Sequence, residues 1–596
     1  MPHVFDVATS VLGNSWAWRG GVAPDPAGGD DLVAQLFRAR GAEPHDFDRL
    51  RSAKLRDWLP DPSIFSDMDV ASLRLARAIE VAEPVVVFGD YDVDGATSAA
   101  LLIRVIRDCG GVASAYIPDR LLEGYGPSAG AMTALAAAGA TLIVTVDCGT
   151  QGFAALTAAR DANVEVIVVD HHQASTALPP ALAIVNPRRL DETAAGAAFG
   201  HLAAVGVAFL LAVGVLRTLR ARGWFGERVP PDLMILLDLV ALGTVADVVP
   251  LAGLNRAFVT QGLKVMAGRR NAGLAALTAV AGIDRAPACH DLGFALGPRI
   301  NAGGRVGKSD LGVRLLTTDD PDEARSLAAE LDALNRDRRV IEAAVTAEAH
   351  GLTARTGNAA VAVIASGGWH PGVIGIVAGR LKDQLKRPVI VIALEDGENG
   401  LVGKGSGRSV PGVDLGGAIL AAKDAGLVLA GGGHAMAAGL TVAADRIDDL
   451  TAFLDARLGG DVGRAGTSRA LTVDAATGPR GVCVDLADAL AAAGPYGQGW
   501  PHPRVASGPW RVAKVDIVGD NHVRAILMGG DGARLKAMAF RSGDTALGAA
   551  LAGGDGRWCF VTGRVARDDW GRTPAAELHL DDLAWVGDLD ARPRAA

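Results

Sequence analysis

The chain is poor in cysteine, and none of its cysteines stand in Cys-x-x-Cys spacing. Among 596 residues the cysteines are five, scattered and odd in number: Cys109, Cys148, Cys289, Cys483 and Cys559. This pattern excludes a zinc ribbon and argues against a disulfide framework. We therefore expect a protein of a reducing compartment, the cytoplasm.

Long apolar runs and a secretion signal are also missing. The first twenty residues have no basic start followed by an apolar core, so no signal peptide is expected. The apolar run 202–216 is interrupted by Gly206 and Gly214 and is shorter than a membrane span needs. We predict a buried helix there and no membrane segment.

Positive charge is in deficit, since the formal net charge is −9. A deficit of this kind argues against a nucleic-acid partner, because phosphate binding needs Lys and Arg. Carboxylates that bind metal ions count as negative until the ions arrive, so local basic clusters carry more weight than the total. With 49% apolar and 21% charged residues the composition is that of a globular protein. The length predicts three or more domains.

The order of the predicted elements indicates an α/β protein with an added β-domain. Apolar β-branched runs alternate with Ala- and Leu-rich helices in two lobes, which favours a parallel sheet in the first. Five alternating segments near the C-terminus predict an OB-fold-like barrel. The predicted divisions are a helical N-terminal extension (1–75), a catalytic lobe (76–318), a connecting helix (319–352), a second α/β lobe (353–462) and the barrel (463–590).

Three predicted strands of the first lobe, VVVFGD, TLIVTVD and VEVIVVD, end in acids or histidines. Those residues are Asp90, Asp92, Asp94, Asp147, Asp170, His171 and His172. Because ligands bind at the carboxyl ends of parallel strands, these side chains should meet at one site. A further acid, Asp247, follows what the sequence predicts as a Gly-Thr turn in LDLVALGTVADVVPL. Carboxylates mixed with imidazole suit Mn²⁺ or Mg²⁺ and are compatible with Zn²⁺.

Each acid on its own has an ordinary alternative. The Asp-x-Asp-x-Asp-Gly stretch resembles a calcium loop, but the Glu required at the twelfth position is missing. Any one of the acids can instead cap a helix. An adjacent histidine pair after an acid at a strand end is seldom structural, so the joint arrangement favours a two-ion site.

Four segments resemble motifs I to IV of the DHH phosphoesterases: VFGDYDVDGATSAALL, VDCGT, VVDHHQ and ALGTVADVVPL. GGGHAMAAG (431–439) resembles the glycine-rich signature of the DHH-associated domain. Within this superfamily the RecJ family of exonucleases is the most similar, by GDYDVDG, LGPRINAGGRVG, ASGGWHPGVIGIVAGRL, VGKGSGRS and PYGQGWPHP. The chain departs from that family at Trp500 and His502, where relatives often carry Asn and Glu.

The resemblance implies roles for particular residues. It implies metal ligands at Asp92, Asp94, Asp147, His171 and Asp247. It makes Asp90 and His172 catalytic candidates, as ligands or as residues that orient ligands. It implies contacts with DNA or its 5′-phosphate at Arg120, Arg305, Ser406, Arg408 and His434. An ordinary surface ion pair remains the alternative for each Arg, and a packing role the alternative for His434. The glycine-rich segments 303–307 and 403–407 are predicted to let backbone approach an anion.

The resemblance also implies an activity and partners. We expect hydrolysis of single-stranded DNA from the 5′ end to mononucleotides, with two Mn²⁺ or Mg²⁺ ions, in recombination and repair. The expected partners are single-stranded DNA, a single-strand-binding protein and a helicase, and the chain is expected to be a monomer. The alternatives are a DHH phosphodiesterase acting on short oligonucleotides or small phosphates, and a non-catalytic DHH replication scaffold.

Aromatic residues alternate with basic ones in the predicted barrel. The aromatic residues are Trp510, Trp558, Phe560 and Trp570. Such interleaving suits a platform on which single-stranded bases stack. Alternation alone places aromatic side chains in a barrel core equally well, and for each Trp the core is the favoured interpretation. The platform therefore depends on the resemblance.

Overall fold

The computed structural model describes residues 3–21, 23, 32–119, 123–397, 400–465, 470–571 and 573–588. The β-strands are β1 (Ser15–Trp18), β2 (Pro84–Gly89), β3 (Val112–Tyr116), β4 (Leu142–Val146), β5 (Glu165–Val169), β6 (Ala183–Val185), β7 (Ala362–Gly367), β8 (Val389–Gly397), β9 (Gly400–Arg408), β10 (Ala430–His434), β11 (Ala437–Ala443), β12 (Ala470–Val473), β13 (Ala475–Thr477), β14 (Val505–Val518), β15 (His522–Gly529), β16 (Arg534–Ala539), β17 (Trp558–Asp568) and β18 (Ala575–Trp585). The α-helices are α1 (Leu32–Ala39), α2 (Phe47–Ser52), α3 (Met68–Glu80), α4 (Val93–Asp108), α5 (Ala129–Ala137), α6 (Phe153–Asp161), α7 (Ala194–Ala197), α8 (Ala204–Ala221), α9 (Leu237–Ala246), α10 (Gly253–Ala267), α11 (Ala272–Val280), α12 (Cys289–Asp291), α13 (Gly297–Val306), α14 (Leu311–Thr317), α15 (Pro321–Leu352), α16 (Ile374–Leu385), α17 (Leu415–Asp424), α18 (Ile447–Ala465), α19 (Val484–Ala492) and α20 (Ala546–Ala552).

The chain divides into two compact units. The larger contains Asp61–Asp247 and Gly262–Ser468, and the smaller contains Met1–Pro60, Val248–Gln261 and Arg469–Ala596.

The first sheet of the larger unit is parallel throughout, as predicted. Its strand order is β3-β2-β4-β5-β6. All five residues of β4 are buried, because helices α4, α6 and α8 pack around the sheet. Apolar β-branched runs buried on both faces are what this arrangement requires.

Helix α8 accounts for the apolar run 202–216, and the prediction of a buried helix is confirmed. Its 18 residues are long and apolar enough to cross a membrane, but 72% of them are buried inside the protein. The core helix of a folded domain meets the same criteria of length and composition, so the helix is weak support for a membrane segment.

Helix α15 confirms the long connecting helix. It begins at Pro321 after the N-cap Asp320, whose carboxylate accepts a hydrogen bond from the Asp322 backbone N–H. Pro at the first helical position and acids in the first turn both favour the start of a helix. The helix packs against α11, α13 and α16.

The second sheet of the larger unit has the order β10-β11-β9-β8-β7. Strands β7 and β8 pair in parallel, whereas β8, β9, β11 and β10 pair antiparallel. Strands β9 and β10 are rich in glycine, which has little strand preference of its own, so the sequence did not indicate them.

The smaller unit contains a closed barrel, as predicted. Its strands pair in the order β14-β15-β16-β18-β17, and β17 pairs with β14 to close the sheet. The predicted helical N-terminal extension is helical only in part, because β1 pairs in parallel with β12. The alternating Ser-Trp-Ala-Trp of β1 buries Trp16 completely.

Candidate metal centre

The carboxyl ends of β2, β4 and β5 bring the predicted acids and histidines together. Asp90, Asp147 and Asp170 each directly follow one of these strands and are at most 3% exposed. Asp147 has a positive φ of 60°, a conformation that Asp tolerates better than most residues. The backbone therefore turns sharply at Asp147, directly after the end of β4.

Helix α4 begins at Val93, so the acids of the first motif lie at its N-terminus. Asp92 is the N-cap, and its carboxylate accepts hydrogen bonds from the backbone N–H of Asp94 at 2.9 Å and of Gly95 at 3.1 Å. Asp94 is 1% exposed and accepts hydrogen bonds from the first backbone N–H groups of α8. Both acids are thus held by helix N-termini, which favour negative charge.

Asp247 reaches the site from a helix, and the predicted Gly-Thr turn is wrong. Gly243 and Thr244 lie inside α9, and Asp247 is its C-cap. A Cβ on Gly243 would come within 2.3 Å of the Thr97 hydroxyl of α4. The glycine therefore serves the close packing of two helices and not a turn.

The first histidine presents one ring nitrogen to the acids. Nδ1 of His171 lies 3.1 Å from the Leu202 carbonyl oxygen. A carbonyl can only accept, so Nδ1 carries the proton and Nε2 keeps a lone pair. Nε2 lies 3.3 Å from Oδ1 of Asp147 and 3.6 Å from Oδ2 of Asp247. Its distance from Oδ2 of Asp94 is 3.9 Å.

Asp170 holds the backbone of His171 and the ring of His172. Its Oδ1 accepts hydrogen bonds from the backbone N–H of His171 at 2.7 Å and from Nδ1 of His172 at 2.7 Å. Its Oδ2 accepts one from the Thr150 backbone N–H. Behind this carboxylate the buried Asn186 donates to the Thr150 hydroxyl and to the His172 carbonyl. Partners of this kind fix ring orientation at metal sites.

Ligand atoms from these side chains fall into three overlapping groups, each with all its atoms within 4.8 Å of one another. The groups are Asp90–Asp92–Asp147, Asp94–His171–Asp247 and Asp147–His171–His172. Asp147 and His171 belong to two groups each. The arrangement can hold two ions with Asp147 between them.

The crowding of carboxylates has an electrostatic cost. Burial and the neighbouring charge of Asp92 raise the pKa of Asp94 to about 7. Burial, together with Asp94 and Asp92, raises the pKa of Asp247 to about 9. Burial and the surrounding acids raise the pKa of Asp147 well above its ordinary value. Divalent cations would relieve this repulsion.

The histidine side of the site behaves differently. Burial and the adjacent His172 lower the pKa of His171 to about 4, so the ring is neutral at physiological pH. Burial opposes the charged form of His172, but the hydrogen bond that its Nδ1 donates to Asp170, together with the charges of Asp170, Asp94 and Asp90, outweighs burial and raises the pKa of His172. The same hydrogen bond holds the pKa of Asp170 below its ordinary range despite burial. A neutral, oriented imidazole is the form that binds metal.

The donor set fits divalent metal ions. Nε2 of His171 and Oδ2 of Asp247 are buried polar atoms without a hydrogen-bond partner among the described residues. Such orphaned atoms are costly unless something binds them. Carboxylate oxygens with one or two imidazole nitrogens are ligands for Mn²⁺ and Mg²⁺.

Ser406 and Arg408 form a separate group in the second lobe. They lie two residues apart on β9 and therefore share a face, and Nη1 of Arg408 donates to Oγ of Ser406 at 3.1 Å. The N-terminus of α16 lies against them, since a Cβ on Gly375 would come within 2.9 Å of the Ser406 hydroxyl. A hydroxyl, a guanidinium and a helix N-terminus together are suited to an anion.

The two glycine-rich segments that are predicted to let backbone approach an anion lie mainly in regular structure. Residues 303–306 belong to α13 and residues 403–407 to β9. A Cβ on Gly304 would press on Tyr91, and one on Gly403 would press on Ile392. These glycines allow close packing.

The other predicted DNA-binding residues are dispersed. Arg305 lies on α13 and donates to the Gly372 carbonyl at 2.8 Å. His434 is exposed at the end of β10, where the hairpin turns towards β11. Arg120 lies outside the described residues.

Two residues near the metal centre were missed from the sequence. Tyr125 donates from its hydroxyl to the Asp147 carbonyl at 3.0 Å. The charge of Arg188 offsets part of the rise in the pKa of Asp247, and Nε of Arg188 donates to the Gly200 carbonyl. Two features of the sequence could have identified them. Tyr125 stands between two glycines, and Arg188 ends the Asn-Pro-Arg sequence that follows β6 of the parallel sheet.

Of the three tryptophans that the sequence analysis names in the barrel, one is buried. Trp510 is fully buried in the core, as favoured from the sequence. Trp558 is 41% exposed and Trp570 97% exposed, so the core interpretation is wrong for both. Phe560 is half-buried and stacks on Phe5. Several basic residues near them are paired with acids, as Arg524 is with Asp516.

Family models match three parts of the chain. They are the DHH family N-terminal domain at residues 84–244, the DHHA1 domain at 356–460 and the RecJ OB domain at 473–582.

Curated proteins and solved structures match most of the chain. It is 40% identical over 509 residues to the single-stranded-DNA-specific exonuclease RecJ of Dickeya dadantii, covering 83% of this chain and 86% of that protein. It is 39% identical over 551 residues to RecJ of Escherichia coli, covering 88% and 91%. The crystal structure of RecJ from Thermus thermophilus in complex with Mn²⁺ matches with a TM-score of 0.74 and 28% identity, covering 95% of this chain and 76% of that one. Its complex with Mg²⁺ matches with a TM-score of 0.68 and 27% identity, covering 95% and 75%.

Proposed function

The chain belongs to the RecJ family of single-stranded-DNA-specific exonucleases, and we propose that it hydrolyses single-stranded DNA from the 5′ end to mononucleotides. The observation that carries the proposal is the sharing of Asp147 and His171 among overlapping ligand groups at one edge of the sheet. A two-ion site is suited to phosphodiester hydrolysis because charge develops on both the attacking and the leaving oxygen.

Two Mn²⁺ or Mg²⁺ ions are the proposed cofactors. Asp90 and Asp92 would hold one ion, while Asp94, His171 and Asp247 would hold the other, with Asp147 shared. When bound, the ions supply positive charge that polarises the phosphate and lowers the pKa of a water molecule.

His172 is proposed to contact the reacting phosphate. Its side chain is 33% exposed, whereas those of His171 and Asp147 are 7% and 4% exposed. Asp170 fixes its ring and raises its pKa, so the protonated imidazole is favoured beside a phosphate anion. Asp170 itself is proposed as a positioning residue, since both its oxygens already accept hydrogen bonds.

The 5′ polarity is proposed to come from the second lobe. An exonuclease that cuts from one end must recognise that end, and a terminal phosphate carries more charge than an internal diester. Ser406, Arg408 and the start of α16 supply donors for such an anion. The resemblance to the family supports three further proposed contacts with DNA, which are Arg120, Arg305 and His434.

The setting proposed for the activity is DNA recombination and repair in the cytoplasm. A single-strand-binding protein and a helicase are the proposed partners, and the chain is proposed to act as a monomer.

The test of this function is a nuclease assay on matched substrates. Purified protein is given single strands labelled at the 5′ or the 3′ end, duplexes of the same sequence, and di- and trinucleotides, each with Mn²⁺, Mg²⁺ or chelator. We expect mononucleotide release from the 5′ end of single strands with either ion. Preference for di- and trinucleotides would support the small-substrate alternative, and inactivity on all substrates would support the scaffold.

A further inference from the structure

Tyr125 lies beside the metal centre with its hydroxyl anchored and its ring exposed. The hydroxyl donates to the Asp147 carbonyl oxygen at 3.0 Å and lies 3.2 Å from the ring nitrogens of His172. Yet 56% of the residue is exposed. An aromatic ring left in water at this extent is a candidate contact surface.

The backbone on both sides of Tyr125 is built to present it. Gly124 has a φ of +87° and Gly126 a φ of +73°, conformations that other residues adopt only with strain. A Cβ on Gly124 would meet no atom within 4 Å, so the conformation and not the packing requires glycine there.

The ring borders the open side of the site. Asp94, Asp147 and His171 are buried, whereas His172 is partly exposed and is among the site residues open to a substrate. The rings of Tyr125 and His172 are in contact, with centroids 5.7 Å apart and planes inclined at 68°. A phosphate that reaches His172 therefore brings its own nucleoside next to Tyr125.

We propose that Tyr125 stacks on the nucleobase adjacent to the phosphodiester bond that is cleaved, which makes that base a determinant of turnover. The inference rests on the proposed function. Stacking on an aromatic ring tolerates any base, because every base has a π-face. The anchored hydroxyl fixes the ring before DNA binds, so little conformational entropy is lost. A base inside a duplex is already stacked on both faces, so the contact favours unpaired strands.

The experiment compares intact strands with strands that lack one base. A single abasic nucleotide is placed at each of the first three positions from the cleaved end, and kcat/KM is measured for the wild type, Tyr125→Phe, Tyr125→Trp and Tyr125→Leu. Tyr125→Phe is the matched control, because it loses the hydroxyl but keeps the ring. Any general loss of activity cancels in the ratio of intact to abasic substrate.

We expect one position at which the missing base lowers wild-type kcat/KM about fivefold or more, the low end of a base–aromatic stack. That ratio should persist in Tyr125→Phe and Tyr125→Trp and fall to near one in Tyr125→Leu. An equal ratio in the wild type and Tyr125→Leu would overturn the proposal, as would a wild type indifferent to missing bases. If Tyr125→Leu does not fold, a ratio in Tyr125→Trp below that of the wild type would overturn it.

A binding readout separates this proposal from the proposed function. With chelator present, strands carrying 2-aminopurine at the same position should lose fluorescence on binding the wild type and Tyr125→Phe, but not Tyr125→Leu. A wild type that quenches the probe in chelator but fails to hydrolyse DNA when Mn²⁺ or Mg²⁺ is supplied would contradict the proposed function and leave the stacking role intact. A wild type that hydrolyses DNA with metal but does not quench the probe would contradict the stacking role and leave the proposed function intact.

Discussion

Removal of divalent ions should make the protein less stable as the pH rises from 7 to 9. Asp247 carries the effect, because its pKa is about 9 in the folded protein and about 3.9 in an unfolded chain. Between those values the folded state holds a proton that the unfolded state has released, so the free energy of unfolding falls as the pH rises. One such group contributes about 1.4 kcal/mol per pH unit.

The neighbouring titratable groups His171 and Asp94 set the pH range in which the effect of Asp247 is visible. The pKa of His171 is about 4 in the folded protein, below its unfolded value of about 6.5, so His171 adds stability as the pH rises across that interval and opposes the acids. Asp94, with a pKa of about 7, has lost its proton above neutrality. From pH 7 to 9 Asp247 alone therefore accounts for roughly 2 kcal/mol, and Asp147, whose pKa is also raised, acts in the same direction. In a unit of this size the loss lowers the unfolding midpoint by about 3 °C.

The assay is calorimetric unfolding of chelator-treated protein at pH 7, 8 and 9, with and without saturating Mg²⁺. Mg²⁺ should abolish the decline, because ions bind the ionised carboxylates more tightly as the pH rises. In Asp247→Asn the metal-free decline should be smaller than in the wild type, because one of the carboxyls with a raised pKa is gone. An unfolding midpoint that does not fall between pH 7 and 9 without metal, or a decline unchanged in Asp247→Asn, would refute the reasoning.

Three further predictions concern orientation, polarity and the barrel. Asp170→Asn should lower kcat by about 10- to 100-fold while the protein stays folded, because His172 loses its orienting carboxylate. Steady-state kinetics, together with thermal melts, measure the two effects. A normal kcat in this variant would contradict the prediction. Arg408→Ala should raise KM for 5′-phosphorylated strands and narrow their advantage over 5′-hydroxyl strands, and an undiminished preference would remove Arg408 from the 5′ site. Trp510 is buried, so Trp510→Ala should destabilise the barrel by about 3–5 kcal/mol. Trp570 is exposed, so Trp570→Ala should leave the unfolding midpoint unchanged and weaken binding to long single strands. Equal destabilisation by the two substitutions would contradict their different burial.

Local sequence signals predicted the elements on which the site is built. Apolar β-branched runs of five or six residues locate β2, β4 and β5 to within a residue, and parallel topology then brings their carboxyl ends together. The start of α15 was equally readable, since Asp320 and Pro321 are both local signals.

The remainder depends on contacts between residues distant in sequence. The sequence predicts a turn at Gly243 and Thr244, because nothing local to Gly243 shows that it packs against α4. Strands β9 and β10 carry glycines whose spacing reflects packing against β8 and α17 and not strand preference. Alternation could not place Trp570, because it lies in the connection that follows β17 and beyond the reach of the core.

The central claim, that Asp147 is shared by two catalytic ions, is tested most directly by counting bound Mn²⁺ and measuring nuclease activity in the same samples. Equilibrium dialysis at neutral pH should find two ions per wild-type chain, and these samples should degrade 5′-labelled single strands. Asp147→Asn should bind fewer ions and lose nearly all activity, while its melting without metal at pH 9 stays at or above that of the wild type, because one buried charge is gone. Two ions retained in Asp147→Asn with near-normal hydrolysis would contradict the account.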